Sequence, residues 1–407
     1  MSVFIERIKI KNLLSFDEEG IDFELKPLNV LIGANASGKS NFVHALELLC
    51  STATGLSTQV SEFGGIEEIM HKNVEIDRTS LGVILAQDES HIGAEYVLEL
   101  GVNYGYMNIL SESLHLCNTK ILGSKEQDKF ALYSRGHSKA LLHSLKKRDE
   151  LSPNAPPEFE IQELGPEQFD FSKSVFEQRK DPVLYPDITT VGEIFSRSSF
   201  GGFFTAVDVD KSRRFNKPDD FGWYLWRDGS NLPMILSKLD NAGILHSEIL
   251  PRLKDFYPSI KDIRTVVQGG RVEIRVWEDS LRKPISLGRV SSGTIAFLRI
   301  LAAVFNPEPY LRGRLLCFEE PETGFHPEAL PVLAQCIKDS PVPTQIVITT
   351  HSPLFIESFQ PEDIIVVEKY ADATRLERKS RTELKRWLKR YTLGELWLKG
   401  VIGGTRY

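Results

Sequence analysis

The stretch Leu28-Asn29-Val30-Leu31-Ile32-Gly33-Ala34-Asn35-Ala36-Ser37-Gly38-Lys39-Ser40 decides how this chain is read. Leu28–Ile32 is a nearly continuous apolar run, the pattern of a parallel strand buried on both faces. Gly33 to Ser40 fits GxxxxGK[ST], and Val43, Leu46, Leu49 and Cys50 then recur at helical spacing. Strand, glycine-rich turn and helix in that order give the motif its physical meaning, which a chance glycine-rich turn would not have. Glycines let the backbone wrap a phosphate, while loop N–H groups and the helix N-terminus supply the positive potential. Lys39 is then placed to reach β- and γ-phosphates, and the Ser40 hydroxyl to ligate Mg²⁺.

Upstream, Phe4, Ile5, Ile8 and Ile10 mark one strand and Ile21–Leu25 a second, with Gly20 between them. Downstream, residues 80–120 alternate apolar segments with Gly and Asn, which predicts an antiparallel sheet. From about 135 to 265 the texture changes. Pro153, Pro156, Pro157, Pro166, Pro182, Pro186 and Pro218 interrupt short helical pieces such as Ala140–Lys147 and Leu232–Leu239. That proline density excludes a long coiled coil, because each ring removes a helix hydrogen bond and clashes with the preceding turn. Strand and helix then alternate again: Val272–Trp277, Ser291–Phe305, Arg314–Phe318, Glu328–Cys336 and Gln345–Thr349. The expected organisation is an α/β core in two halves, 1–130 and 266–407, separated by a mainly helical insertion or lid over 131–265.

Composition narrows the function classes. The 407 residues are 41% hydrophobic and 26% charged, which is ordinary for a globular chain. Lys+Arg number 49 against 56 Asp+Glu, so the net charge of −7 argues against a generic polyanion binder. Cys50, Cys117, Cys317 and Cys336 have no CxxC spacing and read as reduced thiols, three of them in apolar stretches. No run approaches the ~18 apolar residues of a membrane span, so the expected location is cytoplasmic and away from membranes.

Three further motifs carry chemistry. Leu315-Leu316-Cys317-Phe318-Glu319-Glu320 is an apolar strand ending in two carboxylates. Adjacent strand residues face opposite sides, so one carboxylate can hold Mg²⁺ while the other orients an attacking water. Alone, such a pair could equally be solvated acids on a sheet rim. Val290-Ser291-Ser292-Gly293-Thr294 opens an apolar helix and supplies hydroxyl and N–H donors for an anion, although a plain helix cap has the same look. Thr349-Thr350-His351-Ser352-Pro353 follows a buried strand, where a histidine can contact a γ-phosphate or be merely structural.

The order of these motifs resembles the ABC-type ATPase heads, and within them the RecF/SMC/OLD-related ATP-binding proteins. The segments "IERIKIKNLLSFDEEGIDFELKPLNVLIGANASGKSNFVHAL", "GRVSSGT", "EEPETGFHPEAL" and "ITTHSP" carry the likeness, and "WRDGSNLPMILSKL" looks like the lid region of bacterial stand-alone ATPases. The resemblance implies a P-loop head, with a mixed sheet lobe plus an antiparallel β-lobe, and use of ATP and Mg²⁺. It implies that Gly33, Asn35, Ala36, Ser37, Gly38, Lys39, Ser40 and Asn41 hold the triphosphate, and that Ser40 and Glu319 hold the metal. Glu320 and His351 would join Lys39 in catalysis. Ser291, Ser292 and Gly293 would close on the nucleotide of a second protomer, with Glu322 to His326 as the D-loop. It further implies a homodimer around sandwiched ATP and a separate effector, possibly a nuclease, in anti-phage defence or DNA maintenance. A nucleotide-gated scaffold with little hydrolysis is the alternative.

The chain departs from that pattern in several places. Glu319 stands where the family usually has Asp, and the signature reads Val-Ser-Ser-Gly-Thr, with a serine in place of its first glycine. Gln59 and Gln87 both remain candidates for the Q-loop glutamine. Glu368 in "VVEKYADATRLERKS" matches the start of a Toprim motif without its glycine, and the residues that follow are expected to be too few for a nuclease domain. A basic segment, Lys369 to Arg390, could contact nucleic acid phosphates or form a solvated helix face on which Glu383 pairs with Arg386. The closing Leu396, Trp397 and Leu398 are expected to dock on the core.

Overall fold

A computed structural model describes residues 4–403 except 73–76, 87–92, 118–129, 137–138, 146–158, 202–209, 214–223, 308–313 and 342–343. Its centre is a six-stranded sheet in the order β10-β14-β15-β3-β16-β17. These strands are Ser199–Gly201, Arg314–Glu319, Thr344–Thr350, Leu28–Ile32, Ile364–Tyr370 and Ala373–Arg378. All neighbours run parallel except β16 and β17, which form a terminal hairpin. Both faces are covered, which explains the unbroken apolar runs. Val30 and Ile32, Leu316 and Phe318, and Ile346 and Ile348 point into one core. Leu31, Leu315, Cys317 and Val347 point into the other.

The second core lies under an eight-stranded antiparallel sheet, β2-β1-β4-β5-β6-β7-β8-β9. Its members are β1 Ile5–Lys11, β2 Ile21–Glu24, β4 Arg78–Leu85, β5 Ala94–Asn103, β6 Tyr106–Leu116, β7 Phe130–Arg135, β8 Ala140–Leu145 and β9 Phe159–Leu164. The helix Lys39–Ser51 is wedged between this sheet and the central one, burying Phe42, Leu46 and Leu49. Buried Gln345 joins the sheets at the start of β15: its Oε1 accepts from Ile5 N (2.9 Å), and its Nε2 donates to Ile5 O (2.9 Å) and Lys26 O (3.0 Å). Helices Leu232–Asn241, Leu250–Phe256, Ser292–Val304 and Leu330–Lys338 cover the opposite face, with a small sheet of β11 Ile260–Gln268, β12 Arg271–Glu278 and β13 Ile285–Ser286 beside them.

One local expectation is corrected. Ala140–Leu145 is a strand, not part of a helix, paired antiparallel with β7 and β9. Its residues have fair helix propensity, but Ala140, Leu142 and Ser144 face inward while Leu141 faces water, the period of a strand. Pairing on both edges overrides the weak local preference. Leu232–Asn241 is helical as expected. Among the described residues the longest helices span 13 residues, and no helix is long and apolar enough to cross a membrane. Cys50, Cys317 and Cys336 are buried and Cys117 is exposed.

The strand Tyr106–Leu116 of the antiparallel sheet places a buried carboxyl group beside a buried guanidinium. Glu112 is fully buried and accepts from Tyr96 OH (2.8 Å), Tyr133 OH (3.1 Å), Ser174 Oγ and Val175 N, with Arg135 Nε at 3.7 Å. Arg135 in turn donates to Phe171 O and Lys173 O, so the pair fixes the 169–178 segment to the sheet. Glu112→Ala would leave the Arg135 guanidinium buried without its counter-charge, a cost of about 3–5 kcal/mol. Urea denaturation should show the midpoint falling with little change in slope. An unchanged midpoint would show that the network contributes nothing to stability.

Candidate functional site

The glycine-rich loop sits at the C-terminal end of β3, in the middle of the sheet, and ends where the helix Lys39–Ser51 begins. Two of its glycines are required by close approach. A Cβ at Gly33 would lie 2.2 Å from the Val367 carbonyl oxygen; at Gly38, whose φ is +107°, it would lie 2.0 Å from Thr374 Oγ1. The loop is braced from outside by residues that the sequence patterns did not single out. Thr374 Oγ1 on β17 donates to Ser37 O (2.9 Å) and contacts Ser15 Oγ (2.7 Å). Nothing local marks this role, since Thr374 and Ser15 meet only because β17 folds against the loop after β1.

Lys39 is almost fully buried and donates to Gly33 O (3.1 Å) and Ala34 O (2.9 Å). Burial lowers its ammonium to about 8, against the raising pull of the Glu320 charge. Ser37 Oγ is buried with no hydrogen-bond partner, whereas Asn35, Ala36 and Ser40 are exposed and Asn41 is half-buried. The loop therefore combines a poorly solvated cation, an unpartnered hydroxyl and open backbone, all suited to an anion.

Neighbouring strands bring the carboxylates and the histidine to this edge. Glu319 ends β14, and its charge reaches His44, one turn beyond Ser40 on the loop's helix. Ser40 and Glu319 are oxygen donors of the hard type that suits Mg²⁺, which commonly takes one or two protein oxygens and completes its shell with phosphate and water. Glu320 has a left-handed backbone (φ 45°), with its N–H held by Thr349 O at 2.8 Å. That turn lifts its carboxylate from the strand line, half exposed, with Oε1 3.6 Å from His351 Nε2. Burial and the nearby Lys39 charge lower the His351 imidazole, outweighing Glu320, so the ring is neutral near pH 7. Glu322 lies below: its Oε1 accepts from Thr350 Oγ1 and His351 N (3.2 Å), and burial raises its carboxyl. Glu322 thus fixes the backbone that presents His351.

The Ser-Ser-Gly turn is built differently. Ser291 caps the helix Ser292–Val304 by accepting from Thr294 N (3.1 Å). Ser292 is exposed and its hydroxyl accepts from Arg213 Nη2 (3.2 Å), while Gly293 lies against Gly324 and Phe325. The turn meets the Glu322–His326 segment and faces solvent. Gln59 lies on the helix Leu56–Glu62 and lines a cavity of about 270 Å³ with Glu47, Glu62 and Arg227; Gln87 lies outside the described residues. Glu368 is half-buried on β16, bonded to Tyr370 OH.

The basic segment divides. Arg375 pairs with Asp17 and Glu19, Arg378 bonds Glu362 O and Asn29 Oδ1, Lys379 pairs with Glu377, and Lys369 lies 3.8 Å from Asp372. Glu383 closes a capping box with Ser380 rather than pairing with Arg386. Lys385, Arg386, Lys389 and Arg390 are exposed beyond it. At the close, Leu396 is buried and Trp397 packs 6.5 Å from the His351 ring, but Leu398 stays 73% exposed instead of docking.

A central parallel sheet, an antiparallel lobe and this loop together define an ABC-type ATPase head of the P-loop class. The chain belongs to the family described as "AAA domain, putative AbiEii toxin, Type IV TA system", which matches residues 28–357. Its fold is similar to an Smc head solved in complex with the C-winged helix domain of ScpA. That likeness has a TM-score of 0.55 and 15% identity, covering 94% of this chain and 99% of that one. It is also similar to the Smc head with an extended coiled coil bound to the C-terminal domain of ScpA from Pyrococcus furiosus, with a TM-score of 0.53 and 14% identity over 95% and 98%. At such identities the likeness concerns the fold. No curated protein shows significant sequence similarity to the chain.

Proposed function

We propose that the protein hydrolyses ATP with Mg²⁺, that two copies close head to tail around two nucleotides, and that closure controls a separate protein effector. The observation that carries this reading is the convergence of Lys39, Glu320 and His351 beside the loop, with Oε1 and Nε2 3.6 Å apart. In it the loop from Gly33 to Asn41 cradles the triphosphate by backbone N–H groups, and Lys39 turns its ammonium from the loop carbonyls to the terminal phosphates. Mg²⁺, held by Ser40 and Glu319, would neutralise charge on the phosphate oxygens. Glu320 accepts a hydrogen bond from the attacking water, and neutral His351 donates one to the γ-phosphate.

The solvent-facing Ser291–Gly293 turn supports pairing. Its donors are presented outward, as a trans site requires, and the helix behind it adds its positive end. Support for a protein effector comes from the family's description as a putative toxin of a type IV toxin–antitoxin system. A role in anti-phage defence, and contact between Lys385, Arg386, Lys389 or Arg390 and nucleic acid, rest on the sequence resemblance and on exposed charge respectively.

The test is direct. Purified protein should release phosphate from ATP only when Mg²⁺ is added, and sedimentation should show its mass doubling with ATP and not with ADP. ATP-driven doubling without turnover would favour the nucleotide-gated scaffold. The absence of both doubling and turnover would overturn the proposal.

A further inference from the structure

We infer that Arg227 is a positioning residue that ties the helix behind the nucleotide loop to the helix bearing the Ser-Ser-Gly turn, so that nucleotide in one protomer sets the turn offered to its partner. This rests on the sandwiched dimer proposed above and names how its two half-sites communicate.

Arg227 lies in the turn Trp226–Asn231, within the insertion, and bonds in two directions. Its Nη1 donates to Glu47 Oε1. Glu47 is on the helix Lys39–Ser51, about two turns beyond Ser40, and its side chain is only 7% exposed. The carbonyl oxygen of the same Arg227 accepts from Arg299 Nη2 at 3.1 Å, and Arg299 is fully buried in the helix Ser292–Val304. One residue therefore holds both helices, by side chain on one side and backbone on the other.

The turn is stiff enough to transmit a shift. Gly229 has φ +66°, and a Cβ there would lie 2.5 Å from both Arg299 Nε and Ser212 Oγ, so the backbone is seated directly on the arginine. Asn231 locks the turn, accepting from Trp226 N (2.8 Å) and donating to Tyr224 O (2.9 Å). A second connection runs from the same turn to the signature itself. Asp228 pairs with Lys211 at 3.4 Å, and nearby Arg213 donates to Gly288 O (2.7 Å), Val290 O (2.8 Å) and Ser292 Oγ (3.2 Å). A tilt of the loop's helix is thereby passed to Ser292 through bonded groups with little slack. An exposed ion pair alone would carry little. Here the acid is buried, and both ends are attached to elements of the site.

The experiment compares Arg227→Met, which keeps the bulk of the side chain without its charge, with Arg227→Lys, which keeps a cation within reach of Glu47. Arg227→Met should bind a fluorescent ATP analogue within about twofold of the parent. Its kcat should fall about tenfold at nearly constant KM, and its Hill coefficient should drop to 1 from a higher parental value. Arg227→Lys should recover most of both. In protein kept monomeric by dilution, ADP should slow hydrogen exchange over 33–41 in every variant, but over 291–298 only in the parent and Arg227→Lys. Equal responses at 291–298 in the parent and Arg227→Met overturn the inference, as does a parallel loss of binding and turnover. Failure of the parent to dimerise would overturn the proposed function and leave the exchange measurement to decide the link.

Discussion

Glu320→Gln is expected to lower ATP hydrolysis by roughly 10²–10⁴-fold while leaving ATP binding within a few-fold of the parent. The substitution keeps the shape of the side chain and removes its capacity to accept a proton. The left-handed Glu320 backbone is pinned by Thr349 O, so the amide should occupy the carboxylate's place beside His351. Binding survives because the loop N–H groups and Lys39 are untouched. If closure follows binding and opening follows hydrolysis, the ATP-bound dimer accumulates and should appear as a stable doubled mass. Single-turnover phosphate release and sedimentation check the two halves separately. An unaltered hydrolysis rate would remove Glu320 from its proposed role and point to another base.

Lys39→Ala should weaken ATP binding by about 10²–10³-fold, as truncating one partner of a buried charge pair costs about 2–5 kcal/mol. The magnitude follows from where the ammonium sits. It is almost completely shielded from water, and burial already lowers it to about 8, so a phosphate would replace carbonyl contacts rather than strip away hydration. The variant should fold normally, because Lys39 donates only to two carbonyls of its own loop. Equilibrium binding of ATP, with thermal melting as a fold control, reads the effect. Affinity within threefold of the parent in a folded variant would show that the loop's N–H groups suffice.

How much of this was legible in the chain depends on how local each feature is. Strand, loop and helix from Leu28 to Ser51 are contiguous, so apolar runs, glycines and helical spacing displayed them directly. The same holds for the Glu319-Glu320 strand end and for His351 after its strand. Ala140–Lys147 reads as helix because its residues do not oppose helix, and only the pairing with β7 and β9 makes Ala140–Leu145 a strand. The Gln345 clasp on Ile5, the Thr374 brace on Ser37 and the Arg227 link to Glu47 join residues remote in sequence. No spacing rule reaches them.

The sequence by itself determined the class of the fold and the chemical identity of the nucleotide loop, since both follow from short-range sterics, hydrogen bonding and periodicity. Tertiary structure decided which carboxylate leaves the strand line, which way the Ser-Ser-Gly turn faces, and which polar groups lose water. Those outcomes depend on burial and on the closure of long loops, where a side chain's charge and reach are set by neighbours brought in from elsewhere in the chain.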